Sequence, residues 1–327
     1  MRAVRAREAG GPEVLSYDEV PDPDPGAGQL LVRVAAAGVN FIDTYRRSGT
    51  YPMEFPHVVG SEGAGTVEAV GDGVEGFAVG DEVAWAEAPG SYAQLAAVDA
   101  AQAIHVPAGL DLETAAALPL QGMTAHYLVA STFKVGPGHD VLLHAGAGGV
   151  GLLATQLAVA RGGHVITTVS TPQKAALSAA AGAAHTIDYA AMSDLATELP
   201  AAVRGLTDDQ GVHVVYDGVG RATFGASLDS LRPRGTMVLF GGSSGPVPPL
   251  DPQVLNRKGS LYLTRPTLRH YLATRGELEW RAAEVLGAAA SGELDVRVGA
   301  RFPLSDAVAA HRALEGRATT GKVVLLP

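Results

Sequence analysis

The run Ala145-Gly146-Ala147-Gly148-Gly149-Val150-Gly151 constrains this chain more than any other segment. It follows the apolar stretch Asp140-Val141-Leu142-Leu143-His144. It leads into Leu152-Leu153-Ala154-Thr155-Gln156-Leu157-Ala158-Val159-Ala160, which is rich in helix formers and carries an apolar face. Strand, glycine turn and helix, in that order, open a βαβ unit. A turn without side chains lets a pyrophosphate approach the backbone. The helix start then meets its charge with unpaired N–H groups and the positive end of the helix dipole. The context predicts a dinucleotide-binding unit rather than a tight turn without a ligand.

A chain of 327 residues has room for two domains with well-buried cores. Its formal net charge of −10 opposes nucleic acid or an anionic membrane as a main partner. No apolar run is long enough to span a bilayer. The opening Met1-Arg2-Ala3-Val4-Arg5-Ala6-Arg7-Glu8 lacks a hydrophobic signal core, so a cytoplasmic location is expected. Cysteine is absent, which rules out disulfides, a thiol nucleophile and a Cys-based zinc site.

The first third reads as β-rich, with strands expected at 30–36, 64–70, 81–85, 92–97 and 103–106 and one short helix at 41–47. The middle third alternates. Strands at 141–145, 164–169, 184–187, 212–216, 236–240 and 260–263 are spaced by helical patterns, one of them broken by Pro200. Such alternation makes a parallel sheet with helices on both faces. A long helical stretch at 268–290 and a helix at 305–315 follow. The closing strand, 322–326, needs a sheet to join and is expected to pair back into the first domain.

An NAD-binding unit ordinarily carries an acidic residue at the end of its second strand, where it bonds the ribose 2′-hydroxyl. Here that stretch is Thr167-Thr168-Val169-Ser170-Thr171-Pro172-Gln173-Lys174, with hydroxyls and a lysine and no acid. A lysine attracts the 2′-phosphate that a carboxylate would repel, so NADPH is the expected cofactor. Two further clusters, Asp217-Gly218-Val219-Gly220 and Phe240-Gly241-Gly242-Ser243-Ser244-Gly245, sit at the ends of later strands, where open α/β sheets bind ligands.

Several motifs together carry a family resemblance: Gly10-Gly11-Pro12-Glu13-Val14-Leu15, the run from Gly38-Val39-Asn40-Phe41 to Gly49, Gly60-Ser61-Glu62-Gly63-Ala64-Gly65, the glycine turn, Leu263-Thr264-Arg265-Pro266 and Arg317-Ala318-Thr319-Thr320-Gly321-Lys322. Over nearly its whole length the chain resembles the zinc-free quinone oxidoreductase branch of the medium-chain dehydrogenase/reductase superfamily, its bacterial NADPH:quinone reductases above all. The resemblance implies an α/β fold with a GroES-like β-rich catalytic domain (1–121 and 266–327) and an inserted NADP-binding Rossmann domain with a doubly wound parallel sheet (122–265). It also implies a homodimer, paired through edge strands near 236–263.

By the same resemblance, Asn40, Tyr45 and Tyr51 lie at the nicotinamide and the acceptor. An asparagine amide donates to a carbonyl oxygen, and a phenol donates or stacks. Phe41, Ile42, Asp43, Thr44 and Tyr45 join Tyr127 and Gly148, Gly149, Val150 and Gly151 in cofactor binding. Ser170, Lys174 and Tyr189 surround the 2′-phosphate, and Phe240, Gly241, Gly242 and Ser243 line the nicotinamide ribose. Leu263, Thr264 and Arg265, then Arg317, complete the phosphate contacts. Zinc relatives of this superfamily carry a cysteine in place of Asn40 and a histidine in place of Ser61. Neither replacement is a good zinc ligand, so no metal site is expected.

Without a Lewis acid the acceptor must already be electron-poor, which suits a quinone or an α,β-unsaturated carbonyl. Quinone reduction by NADPH is the expected reaction, with enal or enone reduction as its rival. A non-catalytic NADPH- or RNA-binding, crystallin-like role is a third possibility, and the negative charge opposes its RNA-binding form.

Overall fold

The computed structural model describes residues 1–327, which divide into two compact units: Met1–Met123 with Leu272–Pro327, and Thr124–Tyr271. No helix is long and apolar enough to cross a membrane.

The first unit opens with strands β1 (Arg2–Ala6), β2 (Leu15–Glu19), β3 (Gln29–Val39), β4 (His57–Val58), β5 (Glu62–Val70), β6 (Glu82–Trp85), β7 (Leu95–Asp99) and β8 (Ile104–His105). Helix α1 (Phe41–Arg47) follows β3, and α2 (Leu112–Ala117) follows β8; α3 (Pro119–Tyr127) begins in the first unit and ends in the second. The second unit holds β9 (Asp140–Leu143), α4 (Gly149–Ala160), β10 (His164–Val169), α5 (Pro172–Ala180), β11 (His185–Asp188) and α6 (Leu195–Gly205). It continues with β12 (Val212–Asp217), α7 (Phe224–Asp229), β13 (Leu231–Leu239), α8 (Gln253–Arg257) and β14 (Tyr262–Thr264). The chain returns to the first unit with α9 (Arg275–Ser291), β15 (Val298–Pro303), α10 (Ala307–Glu315) and β16 (Lys322–Leu326).

In the first unit, β15-β16-β3-β5-β6-β8 form a sheet, with β7 also paired to β3, and β2-β1-β4 form a smaller one. The closing strand β16 runs antiparallel to β3, with Val323 opposite Val39 and Val324 opposite Gly38. Along β3, buried and less buried residues alternate up to Val34, which is the mark of a half-covered strand. From Ala36 to Val39 every residue is buried, and α2 packs on β3 and β5. Leu30, Val32, Val67, Val83, Trp85 and Leu325 centre this core. Each fully buried side chain of this kind contributes roughly 1.5–3 kcal/mol.

In the second unit, β11-β10-β9-β12-β13-β14 form one sheet whose recorded pairings are all parallel. Strands β9, β10 and β12 are buried along nearly their whole length, as strands of a parallel sheet covered on both faces are. Leu142, Ile166, Val215, Met237, Leu199 and Phe224 centre the core.

The local reading of the sequence fails in three places. Pro200 lies inside an unbroken α6, on the buried stripe that also holds Leu199 and Val203, so burial of that face offsets the one backbone hydrogen bond the proline removes. The stretch 268–290 is two elements, a 3-10 turn at Leu268–Tyr271 and α9. The Thr274 hydroxyl starts the second by accepting the Glu277 N–H at 3.2 Å. Strands β1 and β2 carry no strong apolar alternation; their pairing with each other, Val4 opposite Tyr17, makes them strands.

Candidate functional site

The glycine turn sits at the C-terminal end of β9 and starts α4. Its three framing glycines have different surroundings. A Cβ on Gly146 would lie 2.5 Å from the Thr167 Cβ, and one on Gly151 would lie 2.2 Å from the Ala145 carbonyl oxygen. Those two glycines bring turn, strand and helix into contact. A Cβ on Gly148 would meet only that same carbonyl, at 3.2 Å. The backbone at Gly148 is therefore open where a phosphate would approach, and no side chain caps the start of α4. This is the cradle a dinucleotide pyrophosphate requires. Ala145 holds a φ of 56°, an uncommon backbone for a non-glycine residue.

Ser170 and Lys174 stand beyond the end of β10, next in the sheet to β9. Thr171 caps α5 by accepting the Lys174 N–H, and the Lys174 Nζ lies 3.5 Å from the Ser170 hydroxyl. Strand β11 pairs with β10 up to Val169 opposite Asp188, so Ser170 and Tyr189 are the next residues at that edge. A lysine and a serine thus meet at the end of β10, where an NAD-binding unit carries its acid, and Tyr189 follows the end of the neighbouring strand.

On the other side of β9, the Asp217 carboxylate at the end of β12 accepts the Val219 and Gly220 N–H groups at 2.8 and 2.9 Å. The Phe240–Ser243 loop after β13 docks on the same turn, with Gly241 N donating to Asp217 O and Ser243 N to Gly218 O. Leu263 and Thr264 lie on β14, three strands from β9 and so about 14 Å away. Arg265 donates to the Pro266 carbonyl at 3.1 Å. The Tyr127 ring is 1% exposed and stacks on Tyr271, with ring centroids 4.3 Å apart. Arg317 is exposed, on a turn after α10.

In the first unit, Asn40 is the last residue before α1 and is 2% exposed. Its Nδ2 donates to Glu62 Oε2 at 2.7 Å and to the Gly38 carbonyl at 3.3 Å. Its Oδ1 accepts from Lys322 Nζ at 2.8 Å and from Gln121 Nε2 at 3.3 Å. Both amide hydrogens are committed, so the donor to an acceptor carbonyl expected from the residue type is not on offer here. Lys322 also donates to Glu62, and Glu62 accepts the Leu120 N–H at 2.7 Å. Burial lowers the Lys322 ammonium pKa, while the Glu62 charge pulls it back up. Gln121 Oε1 is buried and has no hydrogen-bond partner. In the sequence, Glu62 and Lys322 stand only as members of family-like motifs, with no role assigned, and Gln121 stands in none; a lysine opening the otherwise apolar strand Lys322-Val323-Val324-Leu325-Leu326 is the further signal of a buried charge.

Asp43 and Thr44, expected at the cofactor, turn their side chains inward. The Asp43 carboxylate accepts from Ser61 Oγ at 2.7 Å, the Asn40 N–H at 3.0 Å and the Tyr92 hydroxyl at 3.0 Å. Burial raises its pKa, and those hydrogen bonds oppose the rise. The Thr44 hydroxyl donates to the Phe41 carbonyl. Phe41, Tyr45 and Tyr51 form an aromatic row, with centroids 6.1 Å apart for the first pair and 5.5 Å for the second. Tyr51, 40% exposed, is the outermost ring, and Ile42 is half-buried beside the row.

The two units match two family descriptions: an alcohol dehydrogenase GroES-like domain over residues 26–135 and a zinc-binding dehydrogenase over residues 149–286. The fold is thus that of the medium-chain dehydrogenases, a GroES-like unit with a Rossmann unit. A quinone oxidoreductase of Pseudomonas aeruginosa is 46% identical over 320 residues, covering 97% of each chain. A 2-haloacrylate reductase of a Burkholderia species is 43% identical, covering 99% of this chain and 98% of its own. A mycobacterial protein solved in complex with NADPH superposes with a TM-score of 0.97 at 53% identity, over the full length of both chains. The chain belongs to the quinone oxidoreductase branch of the medium-chain dehydrogenase/reductase superfamily.

The second family description names zinc, and the residues here do not fit it. The Asn40 oxygen faces an ammonium, and the Ser61 hydroxyl sits between the Arg46 guanidinium and Asp43. Neither is a zinc donor, and no three His, Cys, Asp or Glu side chains converge on one point.

Proposed function

We propose that this chain is an NADPH-dependent quinone oxidoreductase. The observation that carries the reading is the glycine turn, open over Gly148 and flanked by Ser170 and Lys174. When bound, NADPH supplies a hydride to the acceptor. The backbone N–H groups of Gly149, Val150 and Gly151, at the start of α4, hold the pyrophosphate. Ser170, Lys174 and Tyr189 hold the 2′-phosphate. Phe240, Gly241, Gly242 and Ser243 line the nicotinamide ribose. Leu263, Thr264, Arg265 and Arg317 add further contacts, as do Phe41, Ile42 and Tyr45, whereas the side chains of Asp43, Thr44 and Tyr127 are buried and turned to other partners.

Tyr45 and Tyr51 offer ring faces and phenol hydroxyls to a flat, electron-poor acceptor. Asn40 is a positioning residue that fixes the start of α1, the helix bearing Tyr45. A hydroquinone anion needs no protein acid, since water protonates it after release.

A second reading, reduction of a conjugated carbonyl compound, draws on the similarity to the 2-haloacrylate reductase. Steady-state turnover of purified protein with NADPH and NADH, across quinones, enones and 2-haloacrylates, tests both. Fast NADPH-dependent quinone reduction is expected. Turnover of the conjugated acids or enones far above every quinone would replace the first reading with the second.

The proposal extends to a cytoplasmic homodimer. Strand β14 is a sheet edge that exposes Tyr262 (64%) and Leu263 (37%), and an uncovered edge of this kind favours pairing with a second copy. Sedimentation equilibrium giving a monomer at micromolar concentration would remove that part.

A further inference from the structure

We propose that His144 is a positioning residue for NADPH, setting with Thr168, Ser227 and Asp217 the spacing between the glycine turn and the Gly218–Gly220 loop. The inference rests on the cofactor reading above and deepens it.

His144 immediately precedes the glycine turn and is 2% exposed. Its Nδ1 lies 3.0 Å from the Thr168 hydroxyl on β10, and its Nε2 lies 2.9 Å from the Ser227 hydroxyl on α7. Ser227 and Thr223 both reach Asp217 Oδ2, at 2.8 and 2.7 Å. Every member of this cluster is buried. The direction of each hydrogen bond follows from one end. An Asp217 carboxylate only accepts, so Ser227 donates to it. The Ser227 oxygen then accepts from a His144 Nε2–H. That leaves Nδ1 as the acceptor for the Thr168 hydroxyl. Burial pushes the His144 pKa down despite the nearby Asp217 charge, in keeping with a neutral ring carrying one proton.

The chain of bonds therefore crosses β10, β9 and β12 at the C-terminal ends where the cofactor loops begin. At one end, Gly146 N donates to the Thr168 carbonyl, so Thr168 holds the glycine turn. At the other, Asp217 Oδ1 accepts the Val219 and Gly220 N–H groups. The Phe240–Ser243 loop leans on that same turn. His144 is the only link in the chain that touches both sides. It makes no claim on the cofactor itself, and nothing in the chemistry of the reaction needs it. Its imidazole acts as a spacer of fixed length with one acceptor and one donor.

A glutamine amide also carries one acceptor and one donor on a rigid plane, so His144→Gln is the conservative replacement, and His144→Ala removes both bonds. The readouts are calorimetric affinities of the full chain for NADPH and for adenosine 2′-phosphate, with the KM for NADPH and kcat. Adenosine 2′-phosphate engages only the Ser170–Lys174–Tyr189 end. For His144→Ala, NADPH binding should weaken roughly ten- to a hundredfold, as expected for breaking buried hydrogen bonds. Adenosine 2′-phosphate should stay within about twofold, and KM should rise more than kcat falls. His144→Gln should recover NADPH binding to within about threefold. Should His144→Ala fail to fold, Ser227→Ala cuts the same chain with a smaller loss of volume, and the same split between the two ligands is expected. Equal loss of both ligands, or NADPH binding unchanged in the alanine variant that folds, would overturn the inference. Wild-type protein that binds adenosine 2′-phosphate but not NADPH, or neither, would instead overturn the cofactor reading, and this inference with it.

Discussion

Lys322 and Glu62 meet across β3, and Gly38 is the residue that lets them. Glu62 sits opposite Gly38 in the β3–β5 ladder, while β16 pairs along the other edge of β3. A Cβ on Gly38 would lie 2.2 Å from Glu62 Oε2 and 2.7 Å from Lys322 Cε. The resulting ion pair is 2% and 0% exposed and fixes the Asn40 amide. Removing one partner of such a pair strands a buried charge. Lys322→Met and Glu62→Gln should each lower stability by roughly 3–5 kcal/mol. The double variant should lose much less than the sum. Urea denaturation of the four proteins closes the cycle, and strictly additive losses would show that the two groups do not depend on each other.

His311 predicts a specific pH dependence. Its Nδ1 lies 2.8 Å from the Arg47 guanidinium, which also binds Glu315, and its Nε2 faces the Tyr92 hydroxyl. Burial and then the Arg47 charge push its pKa down to about 3 from 6.5. A folded-state pKa below the unfolded one means the unfolded chain takes up the proton first. The contribution is complete above pH 6.5 and is lost as pH falls toward about 3, for a total of several kcal/mol. Asp43, joined through Tyr92, has its pKa raised by burial and so works in the opposite sense over the acidic range. The wild-type denaturation midpoint should fall between pH 6.5 and 4.5. His311→Gln keeps an acceptor for Arg47 and a donor for Tyr92 and should flatten that slope. Identical slopes in the two proteins would assign the pH dependence elsewhere.

Lys174→Ala separates the two nicotinamide cofactors. Lys174 stands beside Ser170 at the end of β10, a stretch that carries no acid of its own from Thr167 to Lys174. A charge-assisted hydrogen bond is worth roughly 1.5–3 kcal/mol, so NADPH binding should weaken about ten- to a hundredfold. NADH, which lacks the 2′-phosphate, should change by less than about threefold. Fluorescence titration with both cofactors decides, and a parallel loss of both would mean that the lysine serves the fold.

What the sequence made legible was local. Phe41–Arg47 and His164–Val169 form the elements expected of them, and the glycine turn lies between strand and helix, because each pattern is complete within a dozen residues. The Asn40 side chain shows the limit. Its residue type suggests a free amide, but Glu62, 22 residues away, accepts from its Nδ2, and Lys322, 282 residues away, donates to its Oδ1. The same holds for Asp43, whose partners Ser61 and Tyr92 come from the residue before β5 and the connection between β6 and β7. Buried polar networks are assembled by topology, so composition and periodicity do not reveal them.

Within the glycine turn itself, two substitutions of equal size should have opposite signatures. Gly148 has a φ of −76°, which alanine adopts without strain, and its Cβ would press only on one carbonyl at 3.2 Å. Gly148→Ala should therefore cost the fold under about 1 kcal/mol, yet its methyl group stands where the pyrophosphate must approach. NADPH affinity should fall at least about tenfold with the melting temperature nearly unchanged. In Gly151→Ala the new Cβ would sit 2.2 Å from the Ala145 oxygen and 3.0 Å from the Gly146 backbone. Relief requires α4 to move off the turn, at a cost of roughly 1–3 kcal/mol or more, so the melting temperature and cofactor binding should fall together. Melting curves with and without NADPH distinguish the two. A Gly148→Ala protein that binds NADPH as tightly as the parent would mean that the pyrophosphate does not cross this turn, and the assignment of the cofactor site would have to move.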